Sequence, residues 1–148
     1  MLISTGVVSV EPSKGRIVLN VSNDFIGYYK WFIERRYWIR MGTPLHNAHA
    51  TIYSTKHHTK VNWDNAVYYH GKEIKFEYDE CIVEGGYAKG FLMYYLRVYS
   101  QEIDQMKKRL GIIESSRWKG SHVTICNGKN SSVFPDWPKM IRLNTTTQ

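Results

Sequence analysis

Two short segments, His49-Ala50-Thr51-Ile52 and His122-Val123-Thr124-Ile125, each set an imidazole and a hydroxyl two residues apart with apolar residues between and after them. On a β-strand, side chains alternate faces. His49 and Thr51 would share one face while Ala50 and Ile52 anchor the other, and His122 and Thr124 would do the same above Val123 and Ile125. Two imidazoles facing one cleft form an acid–base pair near neutral pH, because an unperturbed histidine titrates at about 6.5. One removes a proton while the other donates one to a leaving group, each step typically contributing about 10²–10⁴ in rate. The threonine hydroxyls can donate hydrogen bonds to non-bridging phosphate oxygens as charge builds there. Such a set suits phosphodiester chemistry and needs no metal.

A bare H-x-T is a weak signal, and the chain contains a third match at His57-His58-Thr59. That match lies in a polar stretch and is followed by Lys60, so it lacks the apolar anchor. Only the segments at 49–52 and 122–125 show His-apolar-Thr-apolar on an expected strand, and their equivalent placement favours chemistry over two unrelated structural histidines. His46 and His49 could suggest a zinc site, but their spacing on an irregular-to-strand segment does not converge both rings, and no thiolate or carboxylate cluster joins them. We expect no metal and no cofactor. His46, His57, His58 and His70 read as surface or supporting histidines.

The elements that must position the two motifs follow from pattern and punctuation. "GVVSV" and "GRIVLNVS" are β-branched runs around an "EPSKG" turn, expected as early strands. Ser22 or Asn23 caps a helix from Asp24 to near Trp38, with Phe25, Tyr28, Tyr29, Phe32 and Ile33 at helical spacing and Lys30, Glu34 and Arg35 outside. A Gly42–Pro44 turn leads to the strand "AHATIYS". "WDNAVYYH" is a short helix stopped by Gly71. "KEIKFEYDECIVEGG" alternates and reads as one strand, and "FLMYYLRVYS" as a longer, central one. Ser100 caps "QEIDQMKKRL", acidic early and basic late as the helix dipole favours, and Gly111 ends it. "SHVTICN" is the last strand. The order strand, helix, motif strand therefore occurs twice, over 15–21, 23–38 and H-A-T-I, then over 91–99, 100–110 and H-V-T-I. Two such halves could pack about a pseudo-twofold axis and bring their third strands together. The expected fold is a single α+β domain over 1–148, bilobal, with two pseudo-symmetric strand-helix-strand lobes and a central cleft.

Size and charge set the range of partners. A chain of 148 residues, 43% hydrophobic and 22% charged, fits one globular domain rather than a disordered segment. A net charge of +7 favours anionic partners such as nucleotides, nucleic acid or acidic lipid. Basic flanks such as Lys119 and Lys129 would draw an anion toward the second motif. Eleven tyrosines and five tryptophans suit base stacking, although most rings of a small domain fill its core. Cys81 and Cys126 read as reduced thiols, with a single bridge as the open alternative. "MLISTGVVSV" has no basic n-region and no run is long and apolar enough for a membrane, so a cytoplasmic protein without a membrane or an obligate protein partner is expected. The triplets at Asn20, Asn130 and Asn144 that match a glycosylation acceptor are then without consequence.

Paired H-x-T strands in a small α+β protein resemble the 2H phosphoesterase superfamily, which includes LigT-like RNA phosphoesterases. The correspondence in motif order runs from about Arg16 to Cys126. More narrowly, "YYKWFIERRYWIRMGTPLHNAHATI", "KGFLMYYLRVYS", "LGIIESSRWKGSHVTI" and "WPKMI" make the chain similar to the phage anti-CBASS nucleases, small 2H enzymes that degrade the host's cyclic oligonucleotide signals. The resemblance implies a catalytic set of His49, Thr51, His122 and Thr124. One histidine would activate a ribose 2′-hydroxyl beside a 3′–5′ phosphodiester and the other would protonate the departing 5′-oxygen, giving a linear product through a 2′,3′-cyclic phosphate. If phage-encoded, it would act in the host bacterial cytoplasm. Lys119 is a candidate phosphate contact and Trp137, in "FPDWPKM", a candidate substrate-binding lid residue, against the plainer readings of a solvated lysine and a packed tail. The alternatives are an RNA 2′,3′-cyclic phosphate phosphoesterase acting on short RNA-like ends, or a non-catalytic sponge that only holds a nucleotide.

Overall fold

β-branched runs make Leu2–Glu11 the first strand (β1) and Arg16–Asn20 the second (β2), paired antiparallel from Val7↔Asn20 to Glu11↔Arg16. The computed structural model describes residues 1–37, 48–56, 60–80, 82–86, 92–113 and 121–127. A 3-10 turn at Pro12–Lys14 joins these strands and ends on Gly15 at φ 65, where a Cβ would fall 2.6 Å from Thr55 Oγ1. Both the left-handed backbone and the close approach select glycine there.

Helix α1 spans Asn23–Tyr37, and Ser22 Oγ accepts the Asp24 N–H at 3.2 Å. Its buried residues are Ile26, Tyr29 and Ile33, whereas Tyr28, Trp31 and Phe32 are exposed. The expected apolar stripe through Tyr28 and Phe32 is therefore rotated. At about 100° per residue from Phe25, Tyr29, Ile33 and Ile26 point toward about 40°, 80° and 100°, while Tyr28 and Phe32 point toward about 300° and 340°, so Ile26 extends the core face on the side away from Tyr28. Strand β3, His49–Ser54, is tied to the start of this helix: Ala48 N–H donates to Asn23 Oδ1 at 3.0 Å, and Val21 N–H donates to Ala48 O at 3.0 Å.

A short helix α2, Trp63–Ala66, is capped by Asn62 and runs on as a 3-10 turn over Val67–Tyr69. The stretch 72–86, expected as one strand, is two: β4, Glu73–Tyr78, and β5, Val83–Gly86. The reason is a change of partner. β4 pairs β1 along its length and meets Val98–Tyr99 of strand β6, Leu92–Tyr99, while β5 pairs the other end of β6 at Leu92–Tyr95. A straight strand could not serve both. Helix α3, Gln101–Arg109, follows with Ser100 Oγ accepting the Ile103 N–H at 3.2 Å, and strand β7 is Ser121–Asn127.

All pairings are antiparallel, in the order β4-β1-β2-β3-β7-β6-β5, and the β4–β6 contact closes six strands into a barrel with β5 outside it. The fold is α+β, as expected, but strand pairing makes one closed sheet. Within it the repeat is topological. The hairpin β1–β2, helix α1 and strand β3 give the sheet order β1-β2-β3, and β5–β6, α3 and β7 give β5-β6-β7, with β3 and β7 adjacent.

One lateral row holds this arrangement. Val8, Leu19, Ala50, Val123 and Leu96 are directly opposed across β1, β2, β3, β7 and β6, and each is at most 1% exposed. Tyr29 and Ile33 of α1 bury Leu96 and Ile125, while Ile103 and Met106 of α3 belong to the cluster that contains Leu19, Ala50, Ile52 and Val123. Leu19→Ala is expected to lower the unfolding free energy by about 2–5 kcal/mol in urea titration, because the cavity opens in the middle of the row. A loss under about 1 kcal/mol would show that the row does not hold the sheet.

Candidate functional site

The two motifs meet at one bridge, Ala50↔Val123, on adjacent antiparallel strands. Ala50, Ile52, Val123 and Ile125 are all fully buried, so the apolar half of each motif is core. His49, Thr51, His122 and Thr124 are half-buried on the opposite face. Continuing the register one residue each way sets His49 beside Thr124 and Thr51 beside His122. Directly opposed residues of an antiparallel pair hold their Cβ atoms about 4.5–5.5 Å apart, so four polar groups lie within one small patch. Ser121 Oγ donates to the Thr51 carbonyl at 3.4 Å, a second tie between the motif strands.

Each motif strand carries a bulge at the same position. The β2–β3 register shifts between Ile17/Val18 and leaves Ile52 without a strand partner; the β6–β7 register shifts between Tyr94/Tyr95 and leaves Ile125 without one. A bulge bends its strand and increases the local twist. Here each follows the motif threonine at once, so both strands turn just beyond the polar patch. The bulges also explain why Ile52 and Tyr53 are both buried on one strand.

The flanks of the patch differ. Across β2, His49 is opposed by Asn20 and Thr51 by Val18; across β6, His122 is opposed by Arg97 and Thr124 by Tyr95. The Tyr95 and His122 rings pack with centroids 5.0 Å apart at 54°. Burial pushes the His122 imidazole below its ordinary value, and the neighbouring His49 adds to this because a charge there opposes a second one. At neutral pH His122 is thus a neutral imidazole able to accept a proton.

A cavity of about 470 Å³ beside α3 is lined by Val98, Ile103, Lys107 and Ser121 among others. Ser121 is offset by one residue from His122 on β7, so this cavity opens on the face opposite the four polar residues. His70 supports the fold: its Nδ1 accepts the Val10 N–H at 3.0 Å, which fixes the proton on Nε2 whenever the ring is neutral. Among the described residues no group of three His, Cys, Asp or Glu side chains could hold a metal, and no helix is long and apolar enough to cross a membrane. Lys119, Lys129, Trp137, His46, His57, His58 and Cys81 lie outside the described residues.

Sequence reasoning missed Asn20, Tyr95 and Arg97. "FLMYYLRVYS" reads as a buried apolar strand, yet its alternate residues Met93, Tyr95, Arg97 and Tyr99 include a cation and a polarisable ring on one face, a signal that was available. The chain matches no family model, no curated protein and no solved structure.

His122 is expected to titrate below 6.5 by NMR, and His49→Ala to raise its midpoint toward that value. A histidine depressed in the folded state binds fewer protons there than in the unfolded chain. Its contribution to stability is complete above about pH 6.5 and is lost as pH falls from there through the folded-state midpoint. Denaturation midpoints measured between pH 7 and 5 should therefore fall less in His122→Asn than in the native protein.

Proposed function

We propose that the protein is a metal-independent 2H-type phosphodiesterase that hydrolyses the 3′–5′ bonds of cyclic di- or oligonucleotide second messengers such as 3′,3′-cGAMP. The observation that supports this reading best is the single Ala50↔Val123 bridge, which presents two imidazoles and two hydroxyls on one face of adjacent strands. A scissile phosphate lying over the patch would have one imidazole on the 2′-hydroxyl side and one on the 5′-oxygen side. The two threonine hydroxyls would meet its non-bridging oxygens. No step requires a Lewis acid, since the leaving alkoxide is protonated and the phosphorane charge is met by hydroxyls and by a basic protein.

The product is a 2′,3′-cyclic phosphate, which water opens by the same pair in reverse. Resemblance to anti-CBASS nucleases supplies the biological setting: destruction of an alarm signal in the cytoplasm of a phage-infected bacterium. Lys119 and Trp137 remain candidate substrate contacts on sequence grounds.

Incubation with 3′,3′-cGAMP in excess EDTA is expected to give linear products by chromatography, with His49→Ala, His122→Ala and the double variant slower by several orders of magnitude and still folded. His57→Ala should change little; damage equal to that of His122→Ala would show that the wrong motif has been chosen. Opening of a 2′,3′-cyclic-phosphate RNA in place of the cyclic dinucleotide would move the assignment to RNA-end processing. Tight binding without turnover of either would leave a nucleotide sponge.

A further inference from the structure

The four motif residues obey a twofold relation that their neighbours break. Thr51–His49 is flanked on β2 by Val18 and Asn20, an apolar residue and a neutral amide, whereas Thr124–His122 is flanked on β6 by Tyr95 and Arg97, a ring and a permanent cation. Arg97 stands directly opposite His122 on the polar face and is exposed, so its Cβ lies about 5 Å from that of His122 while its guanidinium can extend over the patch. Arg97 O accepts the Asp79 N–H at 3.2 Å, which fixes the backbone beneath the side chain, and no ion pair to Arg97 forms among the described residues. Among the described residues the charged and titratable groups near His122 include Arg97 on β6, His49 diagonally across on β3, Tyr95 against its ring, and Asp79 beyond Arg97.

We propose that Arg97 is a substrate-binding residue that gives the site its polarity: its guanidinium grips the non-bridging oxygens of the scissile phosphodiester on the His122 side, making His122 the base and His49 the acid. This rests on the phosphodiesterase reading and adds a residue and a direction to it. Burial and the neighbouring His49 disfavour imidazolium at His122 in the free protein and keep a lone pair available, and a guanidinium brought over the patch would add to this. His49 stands beside the neutral amide of Asn20 on β2 and in this polarity is the acid. The 2′-O–H bond breaks and its proton passes to His122 as the 2′-O–P bond forms. The P–O5′ bond breaks, its electron pair leaves on O5′, and His49 imidazolium protonates that oxygen. The added positive charge on His122 appears as negative charge builds on the phosphorane, which Arg97 bridges in a bidentate fashion. When water opens the cyclic phosphate, His49 takes the water proton and His122 returns one to the 2′-oxygen, restoring both.

The test compares Arg97→Gln and Arg97→Lys with the native protein and with Lys14→Gln, an exposed cation on the β1–β2 turn. Arg97→Gln is expected to lower kcat/KM on 3′,3′-cGAMP by about 10–100-fold, with partial recovery in Arg97→Lys and none of this in Lys14→Gln. It should also shift the acid limb of the kcat/KM–pH profile to higher pH, because removing the cation lets the base keep its proton longer. Unchanged kcat/KM with an unchanged acid limb would overturn the proposal, and a shift confined to the alkaline limb would make His122 the acid and overturn the polarity. A 2′-deoxy cyclic dinucleotide, which lacks the nucleophile, reads the contact without turnover. Weaker binding by Arg97→Gln supports the grip even if native protein cuts nothing, in which case the phosphodiesterase reading alone fails. Equal binding by both proteins sinks the Arg97 assignment whatever the activity.

Discussion

The structure depends on one strand contact: β3 against β7 at Ala50↔Val123, two small side chains with no exposed surface. Chain segments more than seventy residues apart meet there, and the two modest side chains leave room for the helices that cover that face. Larger residues at 50 or 123 would force the helices off that face. The four residues of the candidate site lie one residue away on the other side. The core pairing and the polar patch are therefore two faces of the same register, and a slip by one residue would bury the imidazoles and expose the isoleucines.

That coupling explains why the motif is His-apolar-Thr-apolar rather than a looser histidine–threonine pair. Ala50 and Val123 meet each other, while Ile52 and Ile125 sit at the bulges, where a branched side chain fills the space that an extra strand residue opens toward the helices. Ile125 packs against Tyr29 and Ile33 of α1, so the helix of the first half supports the motif of the second. The barrel closure at β4–β6 adds a further constraint, since it fixes the end of β6 that carries Arg97.

A patch with near-twofold symmetry suits a phosphodiester, whose attacking and leaving oxygens stand on opposite sides of phosphorus. The proposed reaction is not symmetric: in it one imidazole begins neutral and the other charged. Burial lowers the pKa of His122, and in the proposed polarity the contrast between Arg97 and Asn20 beside the two histidines adds to that difference.

Much was legible in the sequence because it depends on local pattern. Strand alternation put His49, Thr51, His122 and Thr124 on one face; capping by Ser22 and Ser100 marked both helices; the repeated element order pointed to paired motif strands. Other features were decided by tertiary structure alone. The run from Lys72 to Gly86 reads as strand although its alternation lapses from Asp79 to Val83, and it breaks there because its two ends pair different parts of β6, a demand from residues distant in sequence. The face that α1 buries was misjudged at Tyr28 and Phe32, since periodicity defines a stripe but not which edge of it the sheet covers. The bulges at Ile52 and Ile125, the closure of the sheet, and the placement of Arg97 and Tyr95 beside the second motif all follow from register, and register is fixed between strands by packing rather than within any one of them.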